Sequence, residues 1–173
     1  MRLKKKLYKC AFFDRDGVIN EERGYISNLK NFKILPKTLA AIKFLKNKNY
    51  LIIIITNQAG IGRGFVKLNE LKLIHSYLKK KLKHIDDIYF CPYHPKYGIG
   101  KYKKKTNDRK PGSGMILKAI KKWNIDSKKS FMMGDKKIDL LAAKGANIKF
   151  YYKDKNINLS AQVRSIVSKT SEI

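Results

Sequence analysis

The sequence of 173 residues predicts one α/β domain built on a mainly parallel β-sheet, and three observations support that fold class. Short apolar segments alternate with segments whose apolar residues recur at helical spacing, which is the pattern of strands joined by helical crossovers. One apolar segment, Tyr50–Ile55, contains four consecutive isoleucines, as is typical of a central parallel strand covered on both faces. Polar and acidic residues follow several of these segments, where the binding crevice of such a sheet lies.

The first half of the chain predicts two strands and two helices. Leu7–Phe13 is an apolar run that stops at an aspartate, so we expect a buried first strand there. A helix is expected from Pro36 to Asn47, because proline is favoured in the first turn and the following apolar residues fall mostly on one side. Tyr50–Ile55 is the second strand, and Leu68–Leu82 is predicted to be helical because its apolar residues recur every three or four positions.

The second half continues the alternation around a long polar loop at Pro92–Pro111, and loops of that length are usually functional or mobile. Its other predicted elements are strands at Asp87–Cys91, Ser130–Met133 and Ile148–Tyr152 and helices at Ser113–Trp123 and Lys136–Lys144. We place the domain at residues 1–152 and a polar C-terminal tail at residues 153–173. A last short helix is expected around Ala161–Ser168, packed on the same domain.

The composition is strongly basic, with 40 lysines and arginines against 13 acidic residues and a formal net charge of +27. Clustered basic residues would bind nucleic-acid phosphates. However, 34 of the 40 are lysines that occur along the whole chain, which favours a diffuse positive surface over a nucleic-acid partner. The two cysteines are too few for a disulfide framework and suit a reducing cytoplasm. The longest apolar run, Leu51–Ile55, is too short for a membrane span, and no export signal is recognised.

Residues able to bind a cation and a phosphate are expected to converge at the strand ends. Asp14 and Asp16 follow the first strand, Thr56 follows the second, and Asp135 follows the fourth. Carboxylate oxygens suit Mg²⁺, which usually binds through one or two carboxylates and a substrate phosphate. Lys110 can meet a phosphoryl oxygen with its charge and Thr56 with its hydroxyl, so the set would cradle a transferring phosphoryl group. A carboxylate nucleophile could form an aspartyl-phosphate there.

Each part also has a purely structural explanation. Residues 14–17 could form a turn or a helix cap, Thr56 and Asn57 could cap the next segment, and Gly134–Asp135 is a common turn. The glycine-rich segment Ala59–Gly64 matches neither a P-loop nor a dinucleotide fingerprint, and we expect a flexible loop that frames the site. The order of the parts at successive strand ends is what favours a catalytic site.

Together, the segments DRDGVIN, TNQAGIGRG, RKPGSGM and GDKKIDLLAAKGA resemble the haloacid-dehalogenase superfamily of phosphotransferases. The resemblance runs from about Tyr8 to Tyr152. It is close to the branch without a cap domain that contains D-glycero-D-manno-heptose 1,7-bisphosphate 7-phosphatase and histidinol-phosphatase. It implies a Rossmann-like, mainly parallel sheet flanked by helices, with no cap domain.

The resemblance also implies roles for the strand-end residues. Asp14 would be the nucleophile, and Asp16 would protonate the leaving alkoxide and then activate water. Thr56 and Lys110 would hold the phosphoryl oxygens. The metal, Mg²⁺, would be bound by Asp14, the backbone carbonyl of Asp16, and Asp135.

Substrate recognition would centre on Arg109 and the neighbouring motifs, while Asp139 would orient Lys110 or its loop rather than bind metal. The residues expected to contact substrate are Arg15, Glu22, Arg23, Gly24, Tyr25, Asn57, Gln58, Ala59, Arg63, Arg109 and Lys136.

The chain departs from the branch in the loop ahead of the Arg-Lys-Pro motif, where many members bind a structural zinc ion. Cys91 is in place, but His94 is one residue late, and Thr106 and Asp108 stand where two cysteines would be. Since a tetrahedral site needs four ligands, we expect no structural zinc. The loop's lysines could meet a second phosphate or face solvent.

The implied function is a monomeric, cytoplasmic, Mg²⁺-dependent phosphatase acting on a sugar bisphosphate. The expected target is the 7-phosphate of D-glycero-D-manno-heptose 1,7-bisphosphate. The enzymatic alternatives are a histidinol-phosphate phosphatase and a nucleic-acid 3′-phosphatase. A non-catalytic binding protein with a basic surface is a further alternative, and the complete set of predicted catalytic residues argues against it.

Overall fold

A five-stranded parallel sheet forms the centre of the protein in a computed structural model that describes residues 6–171. The strands are β1 (Lys9–Phe13), β2 (Tyr50–Asn57), β3 (Asp87–Cys91), β4 (Phe131–Gly134) and β5 (Lys149–Tyr152). Their order across the sheet is β3-β2-β1-β4-β5, and every neighbouring pair is parallel. The α/β fold class predicted from the sequence is therefore confirmed.

Helices connect the strands and cover both faces of the sheet. They are α1 (Thr38–Asn47), α2 (Ala59–Gly62), α3 (Leu68–Leu82), α4 (Gly114–Trp123), α5 (Lys137–Gly145) and α6 (Leu159–Ser171). Short 3-10 helices lie at Leu29–Asn31, Gly100–Tyr102 and Ser127–Lys129. Within residues 6–171, none of the helices has the length and apolar character that crossing a membrane would require.

The side chains of β2 divide the apolar core into two layers. Ile52 and Ile54 belong to the layer shared with α1, α3 and α6, and Ile53 and Ile55 belong to the layer shared with α4 and α5. All four side chains are fully buried. The isoleucine run is therefore a central strand covered on both faces, as its composition predicts.

Helix α1 begins two residues later than the sequence predicts, at Thr38 instead of Pro36. The reason is local, because Lys37 has a left-handed backbone with φ of 62° and cannot continue a right-handed helix from Pro36. The Thr38 hydroxyl donates to the carbonyl oxygen of Leu35 at 2.8 Å and ties the helix start to the preceding turn.

The expectation of a flexible loop at Ala59–Gly64 is wrong for its first four residues, which form the short helix α2 and are all buried. Two glycines allow this close packing. A side chain at Gly60 would meet the ring of Tyr25, and one at Gly62 would collide with the backbone of Pro92. The glycines therefore allow the turn to pack tightly beside the site.

Helix α6, in the C-terminal tail, is longer than predicted and packs against α1. Leu159, Val163, Ile166 and Val167 are buried in the same layer as Ile52 and Ile54 of β2. The tail residues therefore supply part of the core.

We predict that Val163→Ala lowers the free energy of unfolding by about 2 kcal/mol, because it removes two buried methyl groups and leaves a cavity. Urea unfolding followed by circular dichroism measures the change. Ser165→Ala on the exposed side of the same helix is the matched control, with an expected change within about 0.5 kcal/mol. Equal effects of the two substitutions would show that α6 adds nothing to core stability.

Candidate active site

A cavity of about 340 Å³ opens at the carboxyl edge of the sheet. The strand order places β1 between β2 and β4, so the ends of three adjacent strands bring together Asp14 after β1, Asp135 after β4 and Thr56 near the end of β2. Strand β2 extends to Asn57, so Thr56 lies within it and does not follow it as the sequence predicted. The cavity is lined by Asp14, Asp16, Glu22, Gly24, Tyr25, Thr56, Asn57, Gln58, Ala59, Arg109, Lys110, Lys136 and Ile138. Among the residues with predicted roles, Arg15, Arg23, Arg63, Asp135 and Asp139 are not in its lining. Ile138 lines it although no motif singled it out.

A buried lysine lies between two buried carboxylates at the floor of the cavity. The Lys110 ammonium is 2.6 Å from the Asp14 carboxylate and 2.5 Å from the Asp139 carboxylate, and it also donates to the carbonyl oxygen of Ile55 at 2.9 Å. The Lys110 side chain is 1% exposed. The expected contact between Asp139 and Lys110 is thus present.

Asn57 holds the backbone of Lys110 in place. Its amide donates to the Lys110 carbonyl at 2.9 Å, and its side-chain oxygen accepts from the Lys110 backbone N–H at 3.0 Å. Asn57 was expected to contact substrate, and it lines the cavity. Its hydrogen bonds to Lys110 also join β2 to a loop 53 residues further along the chain.

Asp14 and Lys110, at the floor of the cavity, each influence the pKa of the other. Burial raises the pKa of Asp14 to about 6, although the neighbouring Lys110 opposes that rise. Burial by itself would lower the pKa of Lys110, but the carboxylates of Asp14 and Asp139 outweigh it and raise that pKa. At neutral pH Lys110 is therefore cationic and Asp14 mostly ionised, as a carboxylate nucleophile requires.

A group of carboxylates beside Lys110 fits a hard divalent cation. Asp14, Asp135 and Asp139 each offer an oxygen within 4.8 Å of the others, and within residues 6–171 this is the one such group of acidic, histidine or cysteine ligands. Oδ1 of Asp135 is buried without a hydrogen-bond partner. Gly17 has a left-handed φ of 86°, and a side chain there would collide with the Asp135 carboxylate. An unpaired buried carboxylate oxygen in a space kept open by glycine suits a metal ion.

Asp139 is less available to a metal than Asp14 and Asp135. One of its oxygens contacts Lys110, and the other accepts from the backbone N–H of Lys136 at 3.0 Å. Asp14 and Asp135 are therefore the pair that we favour for a cation, and the expectation that Asp139 does not bind metal stays a prediction.

Arg15 does not contact the cavity, which corrects the expectation that it binds substrate. Its side chain is 1% exposed, and its guanidinium pairs with both oxygens of Asp16 at 2.9 and 3.0 Å. On its other side it contacts the ring of Phe32 and lies 3.4 Å from Nε2 of His75. Its buried ion pair with Asp16 keeps the guanidinium away from solvent and from the cavity.

Gln58 links two residues expected to act in catalysis. Its side-chain nitrogen is 3.0 Å from an Asp16 carboxylate oxygen and 2.7 Å from the Thr56 hydroxyl oxygen, and it donates to both. Because the Thr56 oxygen accepts from Gln58, its own proton is free to donate to a phosphoryl oxygen in the cavity.

The mouth of the cavity carries one acidic and two basic side chains. Glu22 pairs with Lys136 at 2.5 Å and accepts from the backbone N–H of Gly24 at 3.1 Å. Arg109 donates to the carbonyl oxygen of Tyr93 at 3.1 Å and keeps other donors for a ligand. These side chains can hydrogen-bond hydroxyls and anions of a polar substrate.

Arg63 lies behind this mouth, within a cluster of exposed rings. Its guanidinium is 5.4 Å from the ring centre of Tyr25 and 5.1 Å from those of Phe65 and Tyr97. It donates to the Tyr25 hydroxyl at 2.5 Å and so supports a residue that lines the cavity. Arg23 was expected at the site and instead pairs with Glu21 at 2.7 Å on the surface.

The loop that carries zinc in many members of the predicted branch uses its corresponding residues in other contacts here. Nδ1 of His94 accepts from the backbone N–H groups of Lys96 and Tyr97 at 3.2 and 3.0 Å. Asp108 pairs with Lys118 at 2.5 Å, and the thiol of Cys91 is free and buried. These contacts hold the loop in an ordered conformation that includes the 3-10 helix Gly100–Tyr102.

The site combines a buried aspartate paired with a lysine and a second aspartate that fits a cation, all at the carboxyl edge of a parallel sheet, and this arrangement defines the class of protein. It is that of the phosphatases of the haloacid-dehalogenase superfamily. The chain belongs to the family described as polynucleotide kinase 3 phosphatase, whose model matches residues 9–164.

Similar proteins carry names from the expected branch. The chain is 39% identical over 146 residues to D-glycero-beta-D-manno-heptose-1,7-bisphosphate 7-phosphatase of Haemophilus ducreyi, covering 82% of this chain and 80% of that protein. It is 40% identical over 144 residues to the alpha-anomer enzyme of Photorhabdus laumondii, covering 81% and 79%. The crystal structure of D,D-heptose 1,7-bisphosphate phosphatase from B. bronchiseptica, complexed with magnesium and phosphate, has a TM-score of 0.77 at 23% identity, covering 93% and 99%.

We predict that Lys110→Met lowers the free energy of unfolding by about 3–5 kcal/mol in metal-free buffer at pH 7, because it leaves two buried carboxylates without their cation. Chemical denaturation measures the change. Lys118→Met is the matched control, because the Lys118 side chain is 61% exposed and makes an ion pair of similar length with Asp108. We expect it to lower the free energy of unfolding by less than about 1 kcal/mol. A small effect of Lys110→Met would mean that the buried carboxylates are not held by its charge.

Replacing His75 should make the protein less sensitive to acid. Burial, with the charge of Arg15, lowers the pKa of His75 from 6.5 to about 3. Between these values the unfolded chain binds a proton that the folded protein excludes, so stability falls as the pH drops below 6.5. We expect wild type to lose about 2 kcal/mol more than His75→Gln between pH 7 and pH 5. Chemical denaturation of both proteins at the two pH values measures the loss, and an equal loss for wild type and His75→Gln would contradict this prediction.

Proposed function

We propose that the protein is a Mg²⁺-dependent phosphatase that hydrolyses the 7-phosphate of D-glycero-D-manno-heptose 1,7-bisphosphate. The observation that carries the proposal is the buried Asp14 carboxylate, 2.6 Å from Lys110 at the floor of an open cavity. The names of relatives that are 36–40% identical over most of the chain support the heptose substrate.

The cavity residues divide the reaction into two steps. The Asp14 carboxylate attacks the phosphorus, the bond from phosphorus to the sugar oxygen breaks, and that oxygen takes a proton from Asp16. Asp16 then removes a proton from a water molecule, which attacks the aspartyl-phosphate and releases inorganic phosphate and the Asp14 carboxylate. Lys110 and Thr56 hold the phosphoryl oxygens during both steps.

The metal role falls to Asp14, Asp135 and the backbone carbonyl of Asp16. When bound there, Mg²⁺ would offset the negative charge of the phosphoryl oxygens and the carboxylates. The buried, unpaired oxygen of Asp135 supports this assignment.

Recognition of the rest of the substrate falls to the mouth of the cavity. The carboxylate of Glu22 and the ammonium of Lys136 can accept from and donate to sugar hydroxyls. The guanidinium of Arg109 suits the second phosphate of the substrate. Arg63 would act on the sugar indirectly, through its hydrogen bond to Tyr25. The active species is a monomer of the cytoplasm in this proposal, and the two free, buried cysteines are compatible with a reducing compartment.

A nucleic-acid 3′-phosphatase is the second candidate. The description of the matching family model and the net charge of +27 favour it. Binding of an oligonucleotide through surface lysines would weaken steeply as salt is added, which separates this function from action on a small sugar phosphate.

The test measures phosphate release with Mg²⁺ from both anomers of the heptose 1,7-bisphosphate, histidinol phosphate and a 3′-phosphorylated oligonucleotide. We expect one heptose anomer to be preferred by about a hundredfold in kcat/KM, equal to about 2.7 kcal/mol. Asp14→Asn should lower the rate by at least about a thousandfold because it removes the nucleophile, while Asp154→Asn on the surface should not.

Each other result identifies a different error. Similar slow rates on every substrate, still dependent on Asp14, would retain the phosphatase and reject the heptose. A preference for the oligonucleotide with a steep salt dependence would replace the sugar by nucleic acid. Activity that survives Asp14→Asn would remove the proposed mechanism.

A further inference from the structure

Arg15 is a large buried group that the proposed reaction does not use. It stands between the two aspartates of the site in sequence, yet its side chain is 1% exposed and outside the cavity lining. Burying a guanidinium is costly unless its donors are satisfied. Arg15 satisfies them chiefly with one partner, Asp16.

The contact between the two side chains fixes the plane of the carboxylate. Nε and one terminal nitrogen of Arg15 lie 3.1 and 2.9 Å from Oδ1 of Asp16, and the same terminal nitrogen lies 3.0 Å from Oδ2. A rigid, planar fork of donors holds a carboxylate in one orientation, which a single ammonium cannot do.

Arg15 is itself held from behind by other elements. Its second terminal nitrogen lies 3.4 Å from Nε2 of His75 on α3, and its guanidinium lies over the ring of Phe32 at 5.6 Å. The His75 ring packs against Phe90 of β3 at 5.7 Å. The orientation of the Asp16 carboxylate therefore depends on residues outside the cavity.

Two further side chains complete the set of donors around Asp16. Asn20 donates to Oδ1 at 2.9 Å, and Gln58 donates to Oδ2 at 3.0 Å. An acid that protonates a leaving oxygen and later accepts a proton from water must occupy the same place in both steps. A small displacement of such a group lowers the reaction rate.

We propose that Arg15, supported from behind by His75, is a positioning residue that holds the Asp16 carboxylate in the orientation for proton transfer to the leaving group. The inference rests on the proposed phosphatase function. A purely structural ion pair is the competing explanation, and it predicts loss of stability with no dependence on the leaving group.

The test compares two substrates that differ in their need for a proton. The leaving group of 4-nitrophenyl phosphate departs as a stable anion, whereas an alkyl phosphate such as the sugar phosphate requires protonation of its oxygen. We expect Arg15→Met to lower kcat/KM for the alkyl phosphate on the order of 10- to 100-fold and for 4-nitrophenyl phosphate less than about threefold. Asp16→Asn should show the same selectivity with a larger loss.

Three controls separate the explanations. Arg164→Met removes another arginine packed on an aromatic ring, at 4.3 Å from Phe44 on α1, and should leave the ratio of the two rates unchanged. Arg15→Lys retains the charge without the fork and should recover only part of the alkyl-phosphate rate. Adding Arg15→Met to Asp16→Asn should cost less than about twofold more, because a positioning residue acts through its partner.

Equal losses on both substrates, full recovery by Arg15→Lys, or independent losses in the double variant would each overturn the inference. If Arg15→Met does not fold, His75→Phe decides, with an expected alkyl-specific loss of at least about threefold and rejection if both rates are unchanged. Absence of phosphate release by wild-type protein from either substrate would instead remove the proposed function.

Discussion

The ammonium of Lys110, buried between Asp14 and Asp139, is the interaction on which the rest of the site depends. Three charged groups leave water together at the end of the sheet, and each would be costly to bury alone. Asn57 fixes the backbone of the lysine and Asp139 fixes its side chain. Asp14 therefore lies against a fixed ammonium group, the charge that the proposed transfer of a phosphoryl group would use.

Asp16 lies only two residues from Asp14 but has a different environment. Its carboxylate accepts hydrogen bonds from Arg15, Asn20 and Gln58. Asp14 instead contacts Lys110 and lies close to the carboxylates of Asp135 and Asp139. Strand β1 ends at Phe13, and a continued strand would place residues 14 and 16 on the same face, so the turn that follows β1 is what separates the two side chains. In the proposed reaction, one short motif thus supplies both the nucleophile and the proton-transfer group, each with its own set of supporting residues.

Hydrogen bonds and ring contacts hold the loop between β3 and α4 in place. His94 accepts two backbone hydrogen bonds within the loop, and Ile99 donates to the backbone of Gly62 at 2.8 Å. The rings of Tyr93 and Tyr102 lie 6.0 Å apart. These contacts connect the loop to α2, and Arg109 of the same loop lines the cavity.

Periodicity and apolar runs are local properties of the chain, so they were enough to predict the main strands and helices and the acidic residues after β1 and β4, but not the short helix α2. Leu68–Leu82 and Asp87–Cys91 agree with the structure residue for residue. The tertiary structure alone decided that Arg15 faces His75, 60 residues away, and that Arg63 is surrounded by aromatic rings. Such partners come from separate elements, and only the packing of the sheet and helices brings them together.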